Sequence, residues 1–166
     1  MTTQKRLKEL FVMESDVLIN KITRRGAREG LVAGSIDRHG YREITVDGKR
    51  YRAHRLIWLW HKGVMPENEI DHINQNRMDN SIDNLRDVTH MENHHNMPIQ
   101  KNNATGVIGV HWFKKTKKWQ AYININGTRK NLGYFFNKVD AIEARLLEEL
   151  EHGFHYNHGK QLKVSL

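Results

Sequence analysis

The stretch IDHINQNRMDNSIDNLRDVTHMEN, residues 70–93, decides the fold of the first half of the chain. Apolar residues near its two ends flank a run of turn-forming polar residues at 74–80. That pattern predicts a strand, a polar loop, a second strand and then a helix. Thr89 and Glu92 fit a capping box with Thr89 as the N-cap, so Asn93 is expected in the first turn of the helix.

Four polar residues of this stretch can carry hydrolytic chemistry: Asp71, His72, Asn84 and Asn93. Cleaving a phosphodiester requires a nucleophilic water, a base and positive charge at phosphorus. A histidine can act as the base, and a carboxylate with an amide oxygen suits Mg²⁺ or Mn²⁺. In a regular strand Asp71 and His72 point to opposite faces, so a shared centre requires the strand end to bend or a ligand to reach round. Taken singly, each residue is more typical of a turn, a surface or an exposed helix than of a catalytic site; the combination indicates a nuclease.

At these residues the sequence resembles the HNH nuclease family, whose ββα-metal core runs Asp-His, then Asn, then His or Asn. The matching segments are Ile70–Asn74, Asn80–Arg86, Val88-Thr89 and Glu92-Asn93. They are similar to the subgroup found in phage and intron-encoded homing endonucleases. The resemblance implies that Asp71 and Asn93 bind the metal and that His72 is the general base. It also implies that Asn84 positions His72 by a hydrogen bond.

The residues before this stretch predict a hairpin, a helix and a less regular arm. Residues 41–53 read as strand, Asp47-Gly48 turn and strand. Residues 54–61 are rich in Leu and Trp and predict a short buried helix, in which His54 is more typical of a core histidine than of a catalytic one. Residues 3–24 mix apolar residues with charges, a spacing expected of short helical turns or of a partly ordered arm.

Composition narrows the classes of partner and metal site. The 166 residues include 27 Lys and Arg against 19 Asp and Glu, a net charge of +8, which favours a polyanionic partner such as double-stranded DNA. No stretch approaches the ~20 apolar residues of a membrane span, and the N-terminus lacks an apolar signal core. A cytoplasmic protein in a bacterial host is therefore expected. The chain has no Cys, so a metal must bind through oxygen or imidazole.

A second module with a different charge balance follows. Between Asn93 and Val139 there is no acidic residue, while eight Lys and Arg are present. Residues 118–125 alternate apolar and polar side chains, and Asn126-Gly127 predicts a hairpin turn into the next strand. A helix is predicted over residues 140–152. Its expected inner positions are Ala141, Ala144, Leu147 and Leu150, with Glu143, Glu148, Glu149 and Glu151 outside.

This module resembles the AP2 domain, a three-stranded sheet packed on one helix. The matching segments are residues 106–112, 118–123, 132–135 and 141–144. AP2 modules occur fused to HNH nucleases, so the two resemblances support each other. The open sheet face is expected to lie against DNA, with a solvated polar face as the structural alternative. The DNA-contacting residues expected from strand alternation and the adjoining turn are His111, Lys114, Lys115, Lys118, Gln120, Tyr122, Asn124, Arg129 and Asn131.

Together these patterns predict an α+β protein with a ββα-metal nuclease core followed by a three-stranded sheet packed on one helix. The expected organisation is an N-terminal region at 1–96 with its core at about 54–96, a linker at 97–104, an AP2-like module at 105–158 and a tail at 159–166. The function expected is a sequence-preferring homing endonuclease that uses Mg²⁺ or Mn²⁺. The alternatives are a DNA-binding regulator with a vestigial site and an RNA-directed or nonspecific nuclease. A monomer should nick one strand, and a homodimer could cut both.

Overall fold

The computed structural model describes residues 2–100 and 102–160. The elements in chain order are α1 (Gln4–Leu10), β1 (Phe11–Glu14), β2 (Val17–Asn20), β3 (Ser35–Ile36), β4 (Arg42–Val46), β5 (Lys49–Arg52), α2 (Ala53–Lys62), β6 (Glu69–His72), a 3-10 turn (Ile82–Asn84), β7 (Leu85–Val88), α3 (His90–His94), β8 (Val110–Phe113), β9 (Lys118–Ile125), β10 (Thr128–Phe135) and α4 (Lys138–Glu151). Helices alternate with small antiparallel sheets, so the predicted α+β class is confirmed. No helix in the described ranges is long and apolar enough to cross a membrane.

The chain divides into two compact units, the first ending at His90 and the second beginning at Met91. The predicted linker at 97–104 and tail at 159–166 stay predictions. Lys101, in that linker, and residues 161–166, in that tail, lie outside the described residues.

One apolar core holds the first unit together. Helices α1 and α2 pack on each other, α1 also contacts β1, and α2 also contacts β2, β4 and β5. The buried core residues are Leu7, Leu10, Phe11, Leu18, Ala33, Ile44, Val46, Ala53, Leu56, Ile57, Leu59, Ile70 and Leu85. The predicted hairpin and helix are confirmed, since Asp47 and Gly48 adopt φ 48° and 79° in the turn and α2 ends at Gly63 with φ 79°. These positive φ values are the ones that a tight turn and a helix C-cap require.

The N-terminal arm is more ordered than the sequence indicated. Thr3 caps α1, and its hydroxyl accepts a hydrogen bond from the Arg6 amide at 3.2 Å. The expectation of helical turns or a loose arm is wrong after Leu10, because β1 and β2 form an antiparallel hairpin there. Its turn uses Ser15 and Asp16 at φ 45° and 59°, and the missing glycine removed the usual hairpin signal.

The second unit contains the sheet β10-β9-β8 with α4 packed on one face. Val110, Ala121 and Ala141 form its buried centre. A bulge at Leu132 shifts the register between Asn131 and Gly133. The predicted hairpin through Asn126-Gly127 is confirmed, with Arg129 opposite Asn124 and Asn131 opposite Tyr122.

The predicted orientation of α4 is wrong in its second half. Leu147 and Leu150 are 62% and 77% exposed, whereas Arg145 is buried. Glu148 binds the Lys130 amine of β10 at 2.8 Å, and Glu149 binds Arg145 at 2.9 Å. These ion pairs turn the acidic side of the helix inward, which apolar periodicity alone could not anticipate.

A substitution at Gly34 tests how closely the sheet packs in the first unit. A Cβ on Gly34 would lie 1.9 Å from the Glu43 carbonyl oxygen, and φ is +78°. Gly34→Ala should therefore lower the free energy of unfolding by roughly 2–5 kcal/mol, through backbone strain and forced displacement. Gly40→Ala is the matched control, because Gly40 has φ +81° and open space around it. It should cost only about 1–2 kcal/mol. Urea denaturation compares them, and equal losses would contradict the packing described.

Candidate functional site

Pairing of β6 with β7 sets the positions of Asp71 and His72. Asp71 lies opposite Arg86, and His72 lies opposite Leu85, with no shift in register along the pair. Both side chains are buried, Asp71 at 7% exposed and His72 at 4%. Because the strand is regular, the neighbouring side chains face opposite sides of the pair. Each therefore has its own set of contacts.

Asn84 organises the loop between the two strands. Its Oδ1 accepts a hydrogen bond from the Asn74 amide at 2.9 Å, and its Nδ2 donates to the Asp79 carbonyl at 2.7 Å. Both groups of the amide are thus used to close the loop. The expected hydrogen bond from Asn84 to His72 is not what the structure shows. Asn80 makes that contact, with its Oδ1 at 3.1 Å from His72 Nε2.

His72 lies in an aromatic pocket of the first unit. The His54 ring centroid is 5.1 Å away and the Tyr41 ring centroid 6.2 Å away. Burial lowers the pKa of His72 below its usual value of 6.5, partly opposed by the Asn80 contact and the nearby Asp71 charge. His72 is therefore neutral at neutral pH. Since Asn80 Oδ1 is an acceptor, His72 Nε2 carries the hydrogen, which makes Nδ1 the basic nitrogen.

Asp71 is held by an arginine from the neighbouring strand. The Arg86 Nε and a terminal nitrogen both donate to Asp71 Oδ2, at 2.8 and 2.6 Å. A bond to a charged donor fixes the carboxylate at the end of β6. The sequence indicated Asp71 as a ligand, but it gave Arg86 no role beyond its place in the matching segment Asn80–Arg86.

The donor chemistry at Asp71 fits a hard cation with few protein ligands. Mg²⁺ is commonly bound by one or two carboxylate or amide oxygens, with water and phosphate oxygens completing the octahedron. Among the described residues, the three-residue group of His, Asp and Glu close enough to share one ion is Glu148, Glu151 and His152 of α4. There Glu148 is already bound by Lys130. A closed cage of such side chains is thus not formed around Asp71 in the described parts of the chain.

Asn93, the second predicted ligand, is a half-buried residue of α3 in the second unit. Its predicted role in the metal site stays a prediction. Asp71, His72 and Asn84 all belong to β6 or to the loop that follows it, in the first unit.

Sequence reasoning gave little weight to His54 and missed Tyr41 and Arg77. His54 lies on the first turn of α2, and its burial, with the neighbouring His72 and arginine charges, lowers its pKa to about 3. Arg77 lies over the Tyr41 ring at 4.9 Å, on the loop that contains Asn80. Their convergence on His72 depends on packing between distant segments, which local spacing does not reveal.

In the second unit, the sheet face opposite α4 presents polar and aromatic side chains. Arg129 lies over the Tyr122 ring at 4.1 Å, and the His111 ring lies 5.8 Å from that ring. Gln120 donates to Asn131 at 3.1 Å. Five predicted contact residues therefore share one side of the sheet. Asn124 pairs with Arg129 across the strands and extends this side.

The lysines of the predicted set lie at the end of the sheet where β8 turns into β9. Lys114 and Lys115 are exposed in the turn between β8 and β9. Lys118 begins β9, with its amine 4.3 Å from the Phe136 ring centre. The sequence missed Tyr134, whose hydroxyl accepts a hydrogen bond from Gln120 at 3.2 Å and which extends the aromatic character of the face.

The sequence of this region matches a known protein family. Residues 51–95 match a protein family described as HNH endonuclease. The chain is also similar to Protein 3.8 of Escherichia phage T7, with 33% identity over 97 residues, which cover 58% of this chain and 77% of that protein. No solved structure matches the chain significantly. The matched segment begins at Tyr51 and contains α2, β6, the loop and β7.

The buried His54 makes the stability of the first unit sensitive to acid. In the unfolded chain His54 takes up a proton below about pH 6.5, whereas in the folded chain it stays neutral down to about pH 3. Stability is therefore complete above pH 6.5 and falls as the pH drops toward 3, by roughly 1 kcal/mol per pH unit from this group. His54→Phe keeps an aromatic ring and should reduce that loss. Urea denaturation at pH 7.5 and 4.5 measures it, and a parallel decline in both proteins would contradict the assignment.

Proposed function

Because the chain belongs to the family of phage T7 Protein 3.8 and carries an HNH endonuclease domain at residues 51–95, we propose that it is a metal-dependent DNA endonuclease of homing type. The observation that carries the proposal is a buried, neutral histidine next to a buried carboxylate on β6. A neutral imidazole can accept a proton at neutral pH, and the carboxylate can hold a hard cation. Because the two side chains leave β6 on opposite sides, the phosphate would have to reach round the end of the strand to meet both. Both lie within the matched segment.

His72 is the general base of the proposed reaction. Its Nε2 is held by Asn80, so Nδ1 takes the proton of the attacking water. The lowered pKa of His72 keeps this nitrogen unprotonated at neutral pH, although it also makes the imidazole a weaker base. His54 and Tyr41 restrict the ring's movement and exclude bulk water from one side. The product is a strand broken at the 3′ oxygen.

Asp71 and Asn93 are the proposed ligands of Mg²⁺ or Mn²⁺. When bound, the ion supplies positive charge to the phosphate oxygens and to the departing 3′ oxygen. Arg86 holds the Asp71 carboxylate in place through Oδ2. Asn84 is a positioning residue, because its side chain closes the loop from which Asn80 reaches His72.

The second unit is the proposed DNA-holding module, with an AP2-like sheet on one helix. Its polar face would lie in the major groove, where Arg129 and Lys118 can reach phosphates or guanine and Gln120 can read adenine. Support comes from the absence of any acidic residue between positions 93 and 139. Tethering this module to the nuclease unit raises the local DNA concentration at a weakly binding centre. The enzyme would act inside a bacterial host cell.

One observation favours a second function, that of a DNA-binding regulator without nuclease activity. Arg86 already binds Asp71 Oδ2 at 2.6 and 2.8 Å, and a metal would have to share this carboxylate. If that ion pair replaces the metal, the chain would still bind DNA through its second unit. The two functions differ in whether DNA is cut, and not in whether it is bound.

Removing the base tests the nuclease. His72→Ala should reduce nicking of supercoiled plasmid in Mg²⁺ or Mn²⁺ by about 10²–10⁴-fold, the usual contribution of general base catalysis. His61→Ala is the matched control, because His61 lies in the same unit at an exposed position and contacts Asp16. It should nick at the wild-type rate. Equal nicking by the wild type and His72→Ala would refute the assignment of His72, and no nicking by the wild type would favour the regulator.

Two adjacent residues of β10 test the proposed DNA face. Arg129 lies on the open face over Tyr122, whereas Lys130 points to α4 and binds Glu148 at 2.8 Å. Arg129→Gln should weaken DNA binding by roughly tenfold, because one phosphate or base contact is lost. Lys130→Gln removes the same charge and should leave affinity within about twofold, since Lys130 lies on the α4 side of the sheet, away from the proposed DNA face. Gel-shift titration in EDTA measures both, and equal losses would mean that only net charge matters.

A further inference from the structure

Residues 21–30 follow β2 in the first unit and form a segment that we call the basic hairpin. It contains the bases Lys21, Arg24, Arg25 and Arg28 against one acid, Glu29. Neither the nuclease site nor the sheet of the second unit uses these residues. All are exposed except Arg24, which is half-buried.

Hydrogen bonds order the basic hairpin at its base and at its tip. At the base, the Asn20 amide donates to the Leu31 carbonyl at 2.9 Å, and the Gly30 amide donates to the Asn20 carbonyl at 2.8 Å. At the tip, Arg24 and Ala27 exchange backbone hydrogen bonds of 2.9 and 2.8 Å. The turn between them holds Arg25 and Gly26, and Gly26 adopts φ 75°. An ordered tip binds a ligand at a lower entropic cost than a loose loop.

Arg24 is a half-buried cation whose hydrogen-bond acceptors are neutral. Its guanidinium stacks on the Phe11 ring at 4.5 Å and donates to Asn20 Oδ1 at 3.2 Å and, at a long 3.4 Å, to the Thr45 carbonyl. Its buried Nε makes no hydrogen bond with any described group. Burial lowers the pKa of Arg24, an effect that the charge of the nearby Asp47 opposes only in part. A nearby anion would relieve this cost.

Arg25 and Arg28 form no ion pair with any acid in residues 2–100 and 102–160. They border a cleft of about 1070 Å³ between the basic hairpin and β4. Its acids already have basic partners, because Asp47 binds Arg6 at 2.8 Å and Glu43 lies 3.5 Å from Arg52. The cleft therefore presents guanidinium groups that lack anionic partners.

We propose that the basic hairpin holds the sugar-phosphate backbone of duplex DNA, with phosphates contacted by Arg25 and Arg28. Guanidinium groups match the planar geometry of phosphate oxygens and remain charged at any working pH. A rigid tip with two such groups binds the backbone without reading its sequence. This rests on the proposed function, since DNA is taken as the substrate. The basic hairpin would give the nuclease unit a DNA-binding surface of its own, in addition to the one proposed for the second unit.

The test compares two double variants that lose equal charge. Arg25→Gln/Arg28→Gln removes the tip guanidinium groups, and Lys5→Gln/Lys62→Gln removes two exposed charges of the same unit outside the cleft. Fluorescence anisotropy with a labelled DNA duplex in EDTA gives Kd over a range of salt concentrations. Near 0.1 M salt the tip variant should bind roughly 10–100-fold more weakly, and the slope of log Kd against log salt should fall by about 0.9 per lost phosphate contact. The lysine variant should stay within about threefold of wild type.

Each other outcome overturns the proposal in a distinct way. If the tip variant has a normal melting temperature and binds DNA with the affinity and salt slope of the wild type, the hairpin does not contact DNA. If the lysine variant lost as much DNA affinity as the tip variant, the effect would come from net charge and not from the position of the hairpin. If duplex RNA of the same sequence bound more tightly than DNA, and only its binding were lost in the tip variant, the partner would be RNA. Binding is measured in EDTA, where no cutting occurs, so it tests the hairpin separately from the nuclease. A wild type that binds DNA through the hairpin but never nicks it in Mg²⁺ would refute the nuclease alone. A wild type without DNA affinity would refute both.

Discussion

Antiparallel pairing of β6 with β7 is the constraint on which the candidate site depends. It keeps residues 69–72 extended and in register, so Asp71 and His72 must face opposite sides of the pair. Different parts of the first unit therefore contact the two side chains. Arg86 from β7 binds Asp71, while His54 from α2 and Asn80 from the loop contact His72. Adjacent residues can thereby take different chemical roles.

Much of the fold could be predicted because its turns carry strong local signals. Asp47-Gly48 and Asn126-Gly127 place positive φ angles where hairpins need them, and Gly63 ends α2. The β1-β2 hairpin lacks such a signal, since its turn is Ser15-Asp16. The orientation of α4 depends on ion pairs with residues far away in sequence, which helical periodicity does not contain.

The sequence alone could propose the residues of the candidate site but not their contacts. Asp71, His72 and Asn84 follow from spacing, yet the hydrogen bond expected between Asn84 and His72 is replaced by one from Asn80. Both asparagines lie between β6 and β7, and either side chain has the groups to form a hydrogen bond with the imidazole. Only the path of the loop decides between them. The same holds for His54, whose contact with His72 arises from the packing of α2.

The chemistry and the DNA contacts are assigned to different surfaces. A buried histidine and carboxylate provide few groups for binding a long polyanion, so affinity must come from exposed cations elsewhere. Sequencing of run-off products from a DNA library incubated with Mg²⁺ tests the central claim, that this chain cuts DNA with His72, because it reports strand and position together. We expect strand breaks with 3′ hydroxyl ends at preferred positions, absent with His72→Ala. Breaks at the background level, or the same breaks with His72→Ala, would contradict it.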